Sequence, residues 1–477
     1  MHRSLPRLEV EVARAIDAGE IERALEDIQR TVEALIYRPL FTARLFSSET
    51  LDRLCQAAGR RVLQEAGPVG GARRRSRVFV ATHVYATGGH TAVLEDFVRH
   101  AEGVEKHIVF TGAVRPWDRD VAHRRFGALD CTPWFAPRGA LSRKLGWLIG
   151  RLTALAPERL FLFNHHQDAV AIAAAQPELA GETVYYHHAD HQLALGVHLP
   201  HAVHVDPHPM GFHNCRTRLG IPANVYCPIS VKDRGVVPAD RGAAPGPLLS
   251  CTVAGRNKIE PEPDYPYPYW EIVPEFLHRT GGTHLHIGTL SARTVNAIRR
   301  RMRAFGLAPE RFEIAARVRD VWAELLERRV GVYLCSFPYG GVRAGIEAMG
   351  AGVPVIAHVH CRSDFLGAAD ATYPASFRWR TPAELWDIAR GLSAEVLARH
   401  ARLARAHYEA FHREAILREF LARRALAGPF RDPPAPAPAV SRPATDSLQA
   451  GLSELGGLCP PSPKSWILRL GRLLRLA

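Results

Sequence analysis

The stretch from Ser336 to Ala357 reads Ser-Phe-Pro-Tyr-Gly-Gly-Val-Arg-Ala-Gly-Ile-Glu-Ala-Met-Gly-Ala-Gly-Val-Pro-Val-Ile-Ala. An apolar strand ends at Ser336, Gly340-Gly341 permits a tight turn with no Cβ in the way, and a helix begins at about Val342. The unpaired N–H groups and positive dipole end of such a helix make an anion site, here at the carboxyl edge of a sheet. Arg343 in the first turn adds a charge-assisted donor to phosphate. Glu347, one turn on, can accept hydrogen bonds from sugar hydroxyls. Gly352 ends the helix and Pro354 leads into the next strand. Without further context, the same residues also describe a plain strand–turn–helix.

Three other loops follow strand-like runs. Gly255-Arg256-Asn257-Lys258 carries two cations; only five of the 61 basic residues are lysines, so Lys258 stands out, ahead of Arg256, against the alternative of a solvated turn. Thr87-Gly88-Gly89-His90-Thr91 is a second strand–Gly-Gly–helix unit, a pattern many mononucleotide folds share. In Tyr186-His187-His188-Ala189-Asp190-His191, Asp190 and His188 form a compact Asp/His pair that could act as general base on a hydroxyl, with His191 beside it. Side chains two apart after a strand can point the same way. His187, His191, Asp190 and His198 could instead hold a divalent ion, or the cluster could be a structural polar edge. In a chain with 24 histidines, His204, His208 and His213 read as background.

The elements that must position these loops are legible as periodicities. The 477 residues are 47% hydrophobic and 23% charged, an ordinary globular balance that excludes a mainly disordered or collagenous chain. Residues 8–66 repeat apolar positions at helical spacing; 67–77 is a Gly- and Arg-rich linker. Short continuous apolar runs then alternate with helices, at 78–81, 108–110, 160–163, 183–186 and 202–205, and again at 248–254, 283–288, 311–314, 330–336 and 353–357. That pattern predicts parallel sheets covered on both faces. The fold class is therefore α/β, with two tandem doubly wound, Rossmann-like domains, joined near 228–246. The boundaries are a helical extension over 1–70, a first domain over 71–230, a second over 231–395, a returning helix over 396–427, a Pro/Ala-rich linker over 428–464 and a basic amphipathic tail over 465–477. The linker cannot bury a core and is expected to be disordered. Eight scattered cysteines with no C-x-x-C pattern suggest reduced thiols. The net charge of +13 is spread in short clusters without a nucleic-acid-binding motif. No apolar run reaches the roughly 18 residues of a spanning helix, and charged helix rather than an apolar core follows Met1.

The 336–357 stretch resembles the donor-sugar-nucleotide motif of GT-B glycosyltransferases. It is similar to the Ser-Phe-Pro-x-Gly-Gly…Glu-Ala-x-x-x-Gly-Val-Pro-Val form of the O-linked N-acetylglucosamine transferase-like group and to the Glu-Ala-Met-Ala-x-Gly-x-Pro-Val form of the large retaining (family-four-like) group. The resemblance is good over about 248–360, weaker over 78–110, and absent from 1–70 and 428–477. It implies a GT-B arrangement in which Gly340, Gly341 and the helix start at Val342 hold a nucleotide diphosphate and Glu347 binds the ribose; Arg343, at that helix start, is this chain's own candidate for a phosphate contact. It further implies that Lys258 or Arg256 neutralises the leaving group, and that Gly88, Gly89, His90 and His191 face the acceptor side. The retaining enzymes carry a second glutamate eight residues before Glu347, where this chain has Tyr339. The other group has threonines after the glycines, where this chain has Val342, Arg343 and Ala344.

The expected activity is transfer of a sugar from a nucleoside diphosphate sugar to an acceptor hydroxyl, with no metal and no cofactor beyond the donor. The acceptor would be a glycan, lipid-linked or protein hydroxyl. The alternatives are a sugar-nucleotide epimerase and a non-catalytic nucleotide-sugar-binding scaffold. The expected location is cytoplasmic, peripheral to the inner membrane face through 465–477, and no nucleic-acid partner is expected.

Overall fold

The structure is a computed structural model and describes residues 5–36, 38, 41–68, 72–237, 247–262 and 264–434. The tail 465–477, the linker from 435 onward, the end of the interdomain joint (238–246) and Cys459 lie outside the described residues.

The helical extension is part of the first domain. Helices α1 (Leu5–Asp17), α2 (Ile21–Ile36) and α3 (Glu49–Ala66) turn one apolar face inward: Leu8, Val12 and Ile16, then Leu25, Ile28 and Val32, then Leu51, Leu54 and Cys55. These side chains share one core with Val78, Val80 and Leu160 of the first sheet. Glu22 reaches from α2 to the helix Leu141–Leu155, where its two oxygens accept from the backbone N–H of Leu141 and Ser142 at 3.0 and 2.7 Å. The helix's own N-cap residue, Ala140, has no side chain to do this, so the extension supplies the cap.

The first sheet is fully parallel. Its strands are β1 (Arg74–Ala81), β2 (Glu105–Phe110), β3 (Thr132–Phe135), β4 (Pro157–Phe163), β5 (Glu182–Tyr186), β6 (Ala202–Asp206) and β7 (Val225–Tyr226), in the order β3-β2-β1-β4-β5-β6-β7. The second sheet has β8 (Leu249–Val253), β9 (Thr283–Ile287), β10 (Phe312–Ala315), β11 (Val332–Leu334), β12 (Val355–His358) and β13 (Phe377–Trp379), in the order β10-β9-β8-β11-β12-β13. Both are doubly wound, with the change of direction beside the first strand of each domain, where such sheets open a binding crevice. The sequence reading missed β3, β7 and β13. All three lie at a sheet edge and are only four, two and three residues long, too short to show a periodicity.

The returning segment is two helices where the sequence suggested one. Ala394–Phe411 packs on the second domain, against the helix Val342–Gly350. A break at His412 and Arg413 then redirects the chain, and Glu414–Ala422 packs on the first domain, against the helix Gly89–His100. Two buried arginines of the first sheet hold its end: Arg77 donates to the Leu421 carbonyl at 2.8 Å, and Arg159 to the carbonyls of Arg423 and Arg424 at 2.6 Å each. Cations at a helix C-terminus complement its dipole and satisfy its last carbonyls. The joint is fixed too: Val231 accepts from the Tyr408 hydroxyl and donates its N–H to the His412 carbonyl, both at 2.8 Å.

Helix α3 approaches the first domain through Gly59. A Cβ there would lie 1.7 Å from the Ala173 carbonyl oxygen, a clash that only backbone movement relieves. Gly59→Ala should therefore destabilise the protein by about 2 kcal/mol or more, as overpacking against main chain does, despite alanine's better helix propensity. Urea unfolding checks this; an unchanged midpoint would show that the extension is not docked as described.

Candidate active site

Parallel strands deliver their following loops to one edge, and in both domains those edges border one cleft. In the second domain, β8 ends in the short helix Arg256–Ile259, and the Lys258 ammonium donates to the Gly340 carbonyl at 2.5 Å. A Cβ on Gly341 would sit 3.9 Å from Nζ of Lys258 and 3.4 Å from Oγ of Ser336. The turn is held below by Ser336 donating to the Tyr339 carbonyl at 2.8 Å, and beside it by Tyr339 N–H donating to the Lys258 carbonyl at 3.2 Å. Gly340 is required by crowding: a Cβ would lie 2.5 Å from Gly367 main chain. Gly341 is the N-cap of the helix Val342–Gly350 and offers no side-chain cap, so the first-turn N–H groups face the turn without a side-chain partner from that residue. Burial lowers the Lys258 amine to about 8, still mainly protonated at neutral pH. Arg256 is more exposed and pairs with Glu260 at 3.3 Å.

Glu347 and Arg343 lie on one face of this helix, 3.5 Å apart. Burial pushes the Glu347 carboxyl up to about 7, against the lowering influence of Arg343. Arg343 was expected to reach a phosphate. It instead crosses the cleft and donates to Asp96 of the first domain at 2.8 Å. Its backbone is close as well, since a Cβ on Gly89 would be 3.7 Å from Cβ of Arg343. The Gly88-Gly89 loop and the Gly340-Gly341 helix thus face each other.

The first domain lines the cleft with histidines. His83 stacks on His165 (ring centroids 4.1 Å), and His90 lies against His188 (4.1 Å) and His165 (5.1 Å). Tyr85 joins them, its hydroxyl 2.9 Å from Nε2 of His83 and 3.2 Å from Nε2 of His165, and Arg115 donates to it at 2.9 Å. Beneath the cluster, Asp168 binds three loops together. It accepts from Thr82 and Thr111 hydroxyls at 2.6 and 2.5 Å and caps the helix Ala169–Ala174 through the Ala171 N–H at 2.9 Å. Burial lowers the imidazoles of His83 to about 3 and His90 to about 4, and holds His188 well below the ordinary range. These rings are neutral at pH 7. The Nδ1 atoms of His83, His90 and His165 have no hydrogen-bond partner among the described residues.

Asp190 and His188 do not pair. Residues 188–191 form a turn rather than continuing the strand, and this rotates the two side chains apart, so the alternation of extended chain does not apply. Asp190 turns inward to His208, whose Nδ1 is 2.7 Å away, and packs on Gly211, where a Cβ would meet its Oδ2 at 2.4 Å. His191 is half-buried, its Nδ1 3.7 Å from Asp190. Nor do His187, Asp190, His191 and His198 gather: His187 faces Asp206, while His198 contacts Ser47 at 2.9 Å.

Sequence reasoning missed three charged groups near the cleft. Asp96 and Asp168 sit in unremarkable contexts, one inside a helix and one at a helix start. Glu262 accepts from the Tyr339 hydroxyl at 2.9 Å and from Arg362, so a carboxylate stands next to the tyrosine that replaces the retaining group's glutamate. Burial opposes its ionisation, but His360, Tyr339 and Arg362 together lower its pKa. A cavity of about 260 Å³ opens at the joint between the domains, lined by Met210 from the first and by Val359, Asp370 and Trp379 among others from the second.

No protein-family model matches the chain, and no curated protein matches it. Solved structures do. A glycosyltransferase from Rickettsia africae superposes with a TM-score of 0.54 at 11% identity, covering 73% of this chain and 97% of that one. The Anabaena protein HepE, solved in complex with UDP and glucose, gives a TM-score of 0.52 at 13% identity, over 72% of this chain and 98% of that one. The chain therefore has the GT-B fold, two Rossmann-like domains facing across a cleft. No helix among the described residues is long and apolar enough to cross a membrane.

The cleft histidines generate a pH prediction. Free imidazole titrates near 6.5, so rings held at about 3 to 4 refuse protons that the unfolded chain accepts. They cost stability progressively as pH falls below about 6.5, and nothing above it. NMR of the ring signals should show His83 and His90 in neutral form from pH 8 down to 5. Midpoints near 6.5 would mean that the rings are solvated and the cluster is open.

Proposed function

We propose that the protein is a glycosyltransferase that moves a sugar from a nucleoside diphosphate sugar to an acceptor hydroxyl, without a metal on the diphosphate. The observation that carries this reading is the Lys258 ammonium held against the Gly340-Gly341 turn, at the start of a helix that bears Glu347 one turn further on. A departing diphosphate needs its new charge stabilised by preorganised groups. The helix N-terminus and Lys258 would supply this, and Glu347 would accept from the ribose. HepE, which shares the fold, was solved with UDP and glucose. Binding of the diphosphate would also give Arg343 a further anionic partner beside Asp96 and Glu347, in competition with Asp96.

The acceptor would enter from the first domain, past Gly88-Gly89 and the histidine cluster. A neutral imidazole at the edge of the cleft can hydrogen-bond a sugar hydroxyl and accept the proton that the acceptor loses. In this reading His188 carries that role, with His90 packed against its ring, and Asp190 orders the loop through His208 rather than acting as the base. Closure of the cleft would keep water from the donor.

Three outcomes test this. Glu347→Ala should weaken binding of the nucleoside diphosphate by about 1.5–3 kcal/mol, the scale of a lost charged hydrogen bond; unchanged affinity in calorimetry with a folded variant removes Glu347 from the site. Lys258 is protonated below about 8 and loses its charge above it, while a bound diphosphate holds the proton on. Affinity should therefore fall by up to about tenfold per unit above pH 8, and Lys258→Met should abolish that fall. His188→Ala should cut transfer by about 10²–10⁴ with donor affinity retained. Tight donor binding with neither transfer nor donor hydrolysis in the wild-type protein would favour the scaffold alternative.

A further inference from the structure

Behind the cleft loop, His187, His204, Asp206 and Cys215 converge. His187 is the first residue beyond β5, and His204 and Asp206 stand two apart on β6, so they share a face. Cys215 comes back from the helix Pro209–Thr217. All four are buried, none more than 5% exposed. One ligand-type atom from each lies within 4.8 Å of every other. The resolved edges of this tetrahedron are His187 Nδ1–Asp206 Oδ1 3.0 Å, His204 Nε2–Asp206 Oδ1 3.2 Å, Cys215 Sγ–His187 Nδ1 3.3 Å and Cys215 Sγ–Asp206 Oδ1 3.4 Å. A tetrahedral zinc ion with bonds of about 2.0–2.3 Å to N, O and S spaces its ligands by about 3.3–3.6 Å, close to these values.

Proton bookkeeping points the same way. Nδ1 of His204 faces the Val197 carbonyl at 3.3 Å, so in the neutral ring it carries the hydrogen, and Nε2 then presents a lone pair to the Asp206 oxygen. A cation between them removes that opposition. The Nδ1–H to a carbonyl is also the outer contact that fixes the tautomer of a metal-ligating histidine. The second oxygen of Asp206 is anchored by the Asn224 amide at 2.7 Å, which leaves Oδ1 for the cluster. Two neutral imidazoles, one carboxylate and one thiolate sum to −2, which a divalent ion cancels, as a buried site demands.

We propose that His187 Nδ1, His204 Nε2, Asp206 Oδ1 and Cys215 Sγ form a closed, structural zinc(II) site. Four protein ligands leave no open position for substrate. The ion binds with release of the thiol proton, forming the Zn–S bond. Its task is to pin β5, β6 and the following helix together, and so to hold His188 toward the cleft and His208 beside Asp190. The proposal stands on this geometry and not on the transferase reading.

The full-length protein, stripped of metal under reducing conditions, is titrated with Co²⁺ and with Zn²⁺. The expected result is uptake of about one ion per chain. Cobalt should give the intense visible bands of a tetrahedral site and a thiolate charge-transfer band, and zinc should displace it and raise the melting temperature by several degrees. In Cys215→Ser the charge-transfer band should vanish. Cys131→Ser, at a half-buried thiol outside the cluster, should leave it intact. A folded wild-type chain that takes up neither ion, or whose cobalt spectrum lacks tetrahedral bands or is unchanged by Cys215→Ser, overturns the site and leaves a hydrogen-bonded polar cluster. Because the wild-type titration alone can overturn it, the outcome does not depend on any variant folding.

Discussion

The ion pair between Arg343 and Asp96 is the contact on which the arrangement of the cleft turns. It joins the first turn of the helix Val342–Gly350 in the second domain to the helix that follows the first domain's own glycine loop. Both partners are largely buried, and each has a second, weaker or more exposed partner: Arg99 donates to Asp96 at 2.9 Å, and Glu347 lies 3.5 Å from Arg343. Burial raises the Asp96 carboxyl and outweighs the lowering influence of Arg343 and Arg99. An anion arriving at the helix start would compete with it for Arg343. The interdomain contact and the candidate phosphate site therefore share one guanidinium, and a ligand that engages it also bears on how the domains meet.

Around that contact, charge is allotted unevenly. The second domain brings Lys258, Arg343 and the helix dipole, an environment for a polyanion. The first domain brings imidazoles that burial keeps neutral, an environment for hydroxyls. The division follows from the residues each sheet places after its strands, with Asp168 fixing three loops of the first domain and Ser336 and Tyr339 the turn of the second.

The peripheral helices serve the same end. Helix α2 caps an internal helix through Glu22, α3 docks through Gly59, and the last helix is anchored by Arg77 and Arg159 after crossing from one domain to the other. Each of these contacts stiffens the layer behind the cleft loops, and the cluster at His187, His204, Asp206 and Cys215 does so directly beneath His188.

The chain's local pattern was enough to determine two doubly wound domains, the helical extension and the Gly-Gly helix start. These depend on periodicity and on glycine at a turn, both of which are local. The short strands β3, β7 and β13 were not legible, because two to four residues are too few to show a period. What tertiary structure decided was the pairing of side chains distant along the chain. Arg343 meets Asp96, which no spacing suggests. Asp190 and His188, two residues apart, part company because a turn replaces extended chain. Glu262 comes to Tyr339 across 77 residues. His204 and His208, which looked like background in a histidine-rich chain, became partners of Asp206 and Asp190. In each case the cost of burying a polar group selects its partner, and the partner that burial makes available is fixed by how strands and helices stack, not by where residues fall in the sequence.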